Sequence, residues 1–201
     1  MTRTWAEMTV TEHSDAPGRR WRAVALSLGA VVALIGAVFV WATRDDGSHQ
    51  AGGAAVGDAF PDVELTDAAD DPYRSGDLVG TPLVVNFWYS TCPPCRRELP
   101  DFAAVHDQLG DQVRFVGINP LDTADQAQRF AARHGVTYET LFDRDGNLSE
   151  ALAVTGFPTT VLVDADGTIA YQHTGALTAD ELRQALADTL DITSPDTKGP
   201  S

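Results

Sequence analysis

The chain has very little cysteine. Its 201 residues include two, Cys92 and Cys95. Two cysteines build no disulfide framework, and a closed zinc site needs four ligands. The histidines, His13, His49, His106, His134 and His173, stand at no ligand spacing to that pair or to one another, so no metal is expected. The acidic turns starting at Asp143 and Asp164 lack the sixth-position Gly and twelfth-position Glu of a calcium loop. Positive charge is scarce as well. Fourteen Lys and Arg face twenty-nine Asp and Glu, a formal net charge of −15. Residues 1–44 hold five Arg against three acids, and residues 45–201 hold nine basic residues against twenty-six acids. A body this acidic repels phosphates, which argues against nucleic acid as a partner. Its ordinary consequence is solubility. No repeat of domain size is present.

One long apolar run is present. Residues 23–42, AVALSLGAVVALIGAVFVWA, carry no charge. As a helix they span about 30 Å, the thickness of a bilayer's hydrocarbon core. Arg19, Arg20 and Arg22 precede the run, and Arg44, Asp45 and Asp46 follow it. The positive-inside rule then sets residues 1–22 as a cytoplasmic tail and everything after the anchor outside. A cleaved signal peptide is the rival reading, but its apolar region is usually about 7–15 residues. No cysteine follows the run to carry a lipid. Residues 43–57 read as a flexible tether, 58–192 as one folded domain, and 193–201 as a loose tail.

Within the domain, 83-LVVNFWY-89 is a continuous apolar run, as expected of a central strand covered on both faces. A helix is predicted from Pro93, since Pro suits the first helical turn. Leu99, Phe102, Val105 and Leu109 give that helix an apolar face. Residues 113–118 read as the next strand. Thr123 with Gln126 opens a helix that ends near Gly135, and Asn147 with Glu150 opens a short one closed by Gly156. Residues 159–163 and 168–173 read as a hairpin about an Asp-Ala-Asp-Gly turn. Thr178 with Glu181 caps a last helix, stapled by Leu177 and Leu182. The order βαβα, short helix, ββα predicts an α/β fold, a mixed sheet flanked by helices.

The stretch 88-WYSTCPPCRRELP-100 carries the chemistry. It places Cys-x-x-Cys where a buried strand meets a helix. Cys92 is expected at the surface and at the helix N-cap, where unpaired N–H groups favour a thiolate. Cys95 lies one turn on, within reach to close a bond. Pro93 and Pro94 fix the backbone between them. Cys92 would attack a disulfide and Cys95 would resolve the mixed disulfide. The bland alternative, an inert staple, is weak because so short a loop contributes little entropy. No cofactor beyond this redox pair is expected.

The segment 83–102 resembles the thioredoxin superfamily, and its membrane-anchored TlpA/ResA/DsbE-like branch in particular. The resemblance runs from about Val56 to Leu190. It includes 56-VGDAFPD-62, the Cys-Pro-Pro-Cys motif and 156-GFPT-159, with residues 119–156 as the branch's inserted segment. It implies a thioredoxin-like fold. It further implies that Pro158 is the cis-proline facing the cysteines and that Phe157 presents backbone and apolar surface to substrate. Glu98 matches an acid that would take the proton of Cys95; the alternative for it is a solvated Glu in the first helical turn. Trp88 and Pro93 are expected to flank the substrate, with Trp88 otherwise a core residue.

Two positions depart from thioredoxins proper. Asn86 stands where a buried Asp is usual, and Asn is no base near neutral pH. Thr91 stands where Trp is common, and its smaller side chain is expected to open the surface beside Cys92. The resemblance implies reduction of particular disulfides of exported proteins, such as the haem-attachment pair of apocytochrome c, with electrons from a membrane redox partner. The opposite direction, disulfide donation to exported dithiols, uses the same pair. A peroxiredoxin-like peroxidase would need Thr or Ser three residues before the reactive Cys, where Tyr89 stands. A non-catalytic binding module usually lacks one of the two cysteines.

Overall fold

The structure is a computed structural model and describes residues 53–193. The predicted tail, anchor and most of the tether lie outside these residues, as does most of the loose C-terminal tail. No helix among the described residues is long and apolar enough to cross a membrane.

Seven strands form one mixed sheet, in the order β2-β1-β5-β4-β3-β6-β7. They are β1 (Glu64–Thr66), β2 (Pro72–Arg74), β3 (Leu83–Phe87), β4 (Arg114–Asn119), β5 (Glu139–Phe142), β6 (Thr159–Val163) and β7 (Ile169–Thr174). β3, β4 and β5 run parallel; β6 is antiparallel to β3 and β7 to β6. The helices are α1 (Pro93–Leu109), α2 (Ala124–Arg133), α3 (Asn147–Ala151) and α4 (Ala179–Leu190). This is the expected thioredoxin-like α/β architecture.

β3 lies inside the sheet, between β4 and β6. All five of its residues are buried. Successive side chains alternate between faces. Val84 joins the cluster under α1 and α4, which holds Leu99, Phe102, Leu182 and Leu186. Leu83, Val85 and Phe87 join the opposite cluster with Val116, Ile118 and Leu148. Asn86 shares the face of Val84, so a polar side chain is aimed at α1.

The capping boxes at Thr123–Gln126 and Thr178–Glu181 form as predicted. The short helix differs. Its N-cap is Gly146, at φ 74°, and Asn147 is already helical. The cap comes from before the N-cap residue instead: the buried Asp143 carboxylate accepts from the N–H groups of Leu148 and Ser149, at 3.1 and 2.8 Å. The turn after it passes through Ala153 at φ 49°, ahead of Gly156. The inserted segment also hides a strand, β5, and β1 with β2 add a hairpin before β3. Three-residue strands carry too little pattern to read from sequence. The 56–62 motif runs beside the β6–β7 turn, with the Phe60 N–H on the Gly167 carbonyl at 2.7 Å and the Ile169 N–H on the Asp58 carbonyl at 2.9 Å.

Candidate active site

Cys92 is the N-cap of α1, and Pro93 opens the helix. The two cysteines are joined in a disulfide, with Cα atoms 5.3 Å apart. The Cys95 N–H points at Cys92 Sγ, 3.2 Å away. That donor and the helix terminus favour negative charge on Cys92 once the bond is reduced. Cys92 is 1% exposed, against the expectation of a surface thiol. Its sulfur turns inward to Cys95, and both side chains join the cluster of Trp88 and Leu99. Nor does the small Thr91 open the surface beside it. Thr91 and Pro93 are themselves exposed, so the disulfide lies one side chain beneath the surface.

The Phe157–Pro158 peptide bond is cis. Thr159 pairs with Phe87 across the β3–β6 ladder, so Pro158 and Phe157 continue opposite Trp88 and Tyr89. The rings of Phe157 and Tyr89 meet edge to face at 5.1 Å. The ladder thus brings the cis-proline loop to the strand end that carries the cysteines. Pro158 is buried and its carbonyl accepts from the Gly175 N–H at 2.9 Å. Phe157 stays partly exposed.

Trp88 corrects an expectation. It is fully buried, stacked on Phe130 at 5.7 Å between ring centroids. The indole nitrogen lies against Gly117, where an added Cβ would sit 2.5 Å from it. No face remains for a substrate, so Trp88 is a packing residue under the site. Pro93 is exposed beside Cys92.

Glu98 lies in the second turn of α1 and is 1% exposed, which rules out the solvated alternative. It stands three residues after Cys95, on the same helix face. Asn86 Nδ2 donates to Glu98 Oε1 at 2.8 Å, and the Leu177 N–H donates to Oε2 at 2.9 Å. Burial pushes the carboxyl up from 4.5 to about 7; the Leu177 and Asn86 hydrogen bonds resist that rise, and the nearby Asp101 charge adds to it. Asn86 Oδ1 is buried without a partner. An amide can turn over, so Asn86 can donate to the carboxylate or accept from the protonated acid. This explains the departure from Asp. An amide serves both protonation states of Glu98 without adding a second buried charge.

Asp122 escaped the sequence reading. It follows β4 and is buried. Its Oδ2 accepts from the Ser90 N–H at 2.6 Å and from Asn119 Nδ2 at 2.8 Å; its Oδ1 accepts from Ser90 Oγ at 2.6 Å. Arg144, stacked over the Phe142 ring, donates to the Asp122 carbonyl. The loop that ends in Cys92 is thereby tied to the loop after β4. The only sequence signal was Asn119 and Asp122 at the end of a buried strand, and the partner is 32 residues away.

A reversible dithiol–disulfide pair at a helix terminus, with a cis-proline loop alongside and a buried acid behind, can exchange disulfides. The comparisons agree. Residues 56–172 match the AhpC/TSA family. The thiol–disulfide oxidoreductase ResA of Geobacillus thermodenitrificans is 31% identical over 135 residues, 66% of this chain and 76% of that one. The thiol:disulfide interchange protein HelX of Rhodobacter capsulatus is 36% identical over 136 residues, with the same shares. A crystal structure of a putative thiol:disulfide interchange protein DsbE from Chlorobium tepidum superposes with a TM-score of 0.61 at 27% identity, covering 69% of this chain and 99% of that one. On this geometry and these relatives, the chain belongs to the AhpC/TSA family, as a thiol–disulfide oxidoreductase of the ResA, DsbE and HelX type.

Proposed function

We propose that the protein is a membrane-anchored disulfide reductase working outside the cytoplasm. The observation that carries the direction is Glu98. Near neutral pH the buried Glu98 carboxyl is partly ionised, and its charge on the face of Cys95 disfavours a thiolate there, opposing the stabilisation that the helix terminus gives Cys92. A strong oxidant needs the reverse, a stabilised reduced form. The exposed arginines after Cys95 act through water and are screened.

The reduced pair acts in two displacements. The Cys92 thiolate attacks a substrate disulfide, and one substrate sulfur leaves as a thiolate. The Glu98 carboxylate takes the Cys95 proton, and the Cys95 sulfur attacks Cys92 Sγ. The second substrate sulfur leaves as Cys95 closes on Cys92; Glu98 gives its proton to one departing thiolate, water protonates the other, and the Cys92–Cys95 disulfide remains. Phe157 and Pro158, at the strand end that carries the cysteines, would align an extended substrate segment. The uncharged run at 23–42 supports anchoring, and Arg19, Arg20 and Arg22 before it support an outward-facing domain. On this reading the substrates are disulfides of exported proteins, with the haem-attachment pair of apocytochrome c as the family-derived example. A membrane donor returns the electrons. Cys92→Ser in the full chain is expected to abolish reduction of insulin disulfides; retained reduction by that variant would overturn the assignment.

A further inference from the structure

The described residues contain eight arginines and no lysine. Four of the arginines, Arg74, Arg114, Arg129 and Arg183, are ion-paired to carboxylates. Arg97 and Arg144 donate to backbone carbonyls. Arg96 and Arg133 have no carboxylate partner among the described residues. Both line one open cleft of about 490 Å³, with Ser90, Phe130 and His134. In a domain with so large an excess of acids, these two guanidinium groups, without an ion pair or hydrogen bond among the described residues, share one depression. The cleft is linked to the redox pair through the chain: Ser90 is two residues before Cys92, and Arg96 follows Cys95.

The floor is built. Phe130 is buried, and the Arg133 guanidinium stands over its ring, 5.9 Å from the centroid. His134 packs on the same ring at 4.3 Å between centroids, its Nδ1 2.8 Å from the Phe130 carbonyl. One carboxylate touches a lining residue, Asp122 on Ser90, and it already accepts three hydrogen bonds. The cleft therefore presents two guanidinium groups, and the one carboxylate that touches its lining is engaged by Ser90 and Asn119. Guanidinium groups bind carboxylates through paired, charge-assisted hydrogen bonds.

We propose that this cleft is a substrate subsite for an acidic side chain flanking the cysteines of the target peptide. The inference rests on the reductase reading above and adds a selectivity to it. A cleft lined by one sign of charge raises the encounter rate of the opposite charge, and does so less as salt rises.

The test uses the reduced full chain in mild detergent and two short peptides, each closed by one disulfide. They differ only in Asp or Asn beside the first cysteine. The protein dithiol becomes a disulfide as the peptide disulfide takes up two electrons and two protons. The Asp peptide is expected to react about tenfold faster than the Asn peptide at low salt. The ratio falls to about one in the Arg96→Gln/Arg133→Gln double variant and persists in Arg183→Gln, which removes an ion-paired arginine elsewhere. Where exchange proceeds, equal rates for the two peptides, or a ratio that survives the double variant, overturn the subsite. A Cys→Ser version of the Asp peptide, titrated calorimetrically, needs no exchange. Its binding, lost in the double variant, supports the subsite even where exchange fails, and that combination removes the reductase reading alone. No binding together with equal rates removes the subsite alone.

Discussion

Glu98 concentrates the chemistry in one carboxyl group. It is held at both oxygens, by Asn86 and by the Leu177 N–H. Replacing it by Gln keeps the shape and, with the Asn86 amide turned over, both hydrogen bonds. The variant is therefore expected to fold. Its rate of disulfide exchange should fall by roughly 10²-fold, and the inflection near pH 7 in the rate profile should vanish. An unchanged pH–rate profile would return Glu98 to a packing role. Asp122 makes a second prediction. Asp122→Ala leaves the Ser90 N–H and the Asn119 amide short of a partner, a loss of about 1–3 kcal/mol read by urea unfolding. Exchange should slow about tenfold as the Cys92 loop loosens, and Asp122→Asn should recover much of it. An exchange rate that stays at the parent value in Asp122→Ala makes the clamp purely structural. Sequence showed where the cysteines stand, because strand, helix start and motif are contiguous. It could not show that Glu98 is buried, since the group that seals it comes from Leu177, 79 residues on. Asp122 was invisible for the same reason.

Local pattern set most of the secondary structure. The β3–α1 junction was legible because an apolar run, a Cys N-cap and two prolines lie within a dozen residues. The capping boxes at Thr123 and Thr178 needed only four residues each. β1, β2 and β5 were not legible, being three or four residues long and defined by pairing with distant strands. The α3 cap failed because Asp143, not Asn147, supplies the acceptor. Trp88 was misassigned because a strand-end tryptophan reads alike as wall or as core. Its packing against β4 depends on one missing side chain. Gly117→Ala would put a Cβ 2.5 Å from the indole nitrogen. Such overpacking costs about 1–3 kcal/mol, so the urea midpoint should fall with an unchanged slope. A midpoint equal to that of the parent would show that Trp88 is free to move.

At the scale of the whole molecule, the buried acid links stability to pH. The Glu98 carboxyl binds its proton more tightly folded, at about 7, than unfolded, near 4.5. Its contribution to stability is complete below the unfolded value and is lost as pH rises through the folded one. Across that window the oxidised protein should lose about 3 kcal/mol, and Glu98→Gln should flatten the trend. Rising stability over the same range would contradict the assigned burial. The same carboxyl bears on the direction of electron flow. The most direct measurement is the reduction potential of the Cys92–Cys95 couple in the full chain, equilibrated against dithiothreitol or glutathione at pH 7. A value near roughly −270 mV, in the thioredoxin range, is the predicted result and describes a reductant. A value near roughly −120 mV would describe a disulfide donor and overturn the reductase assignment.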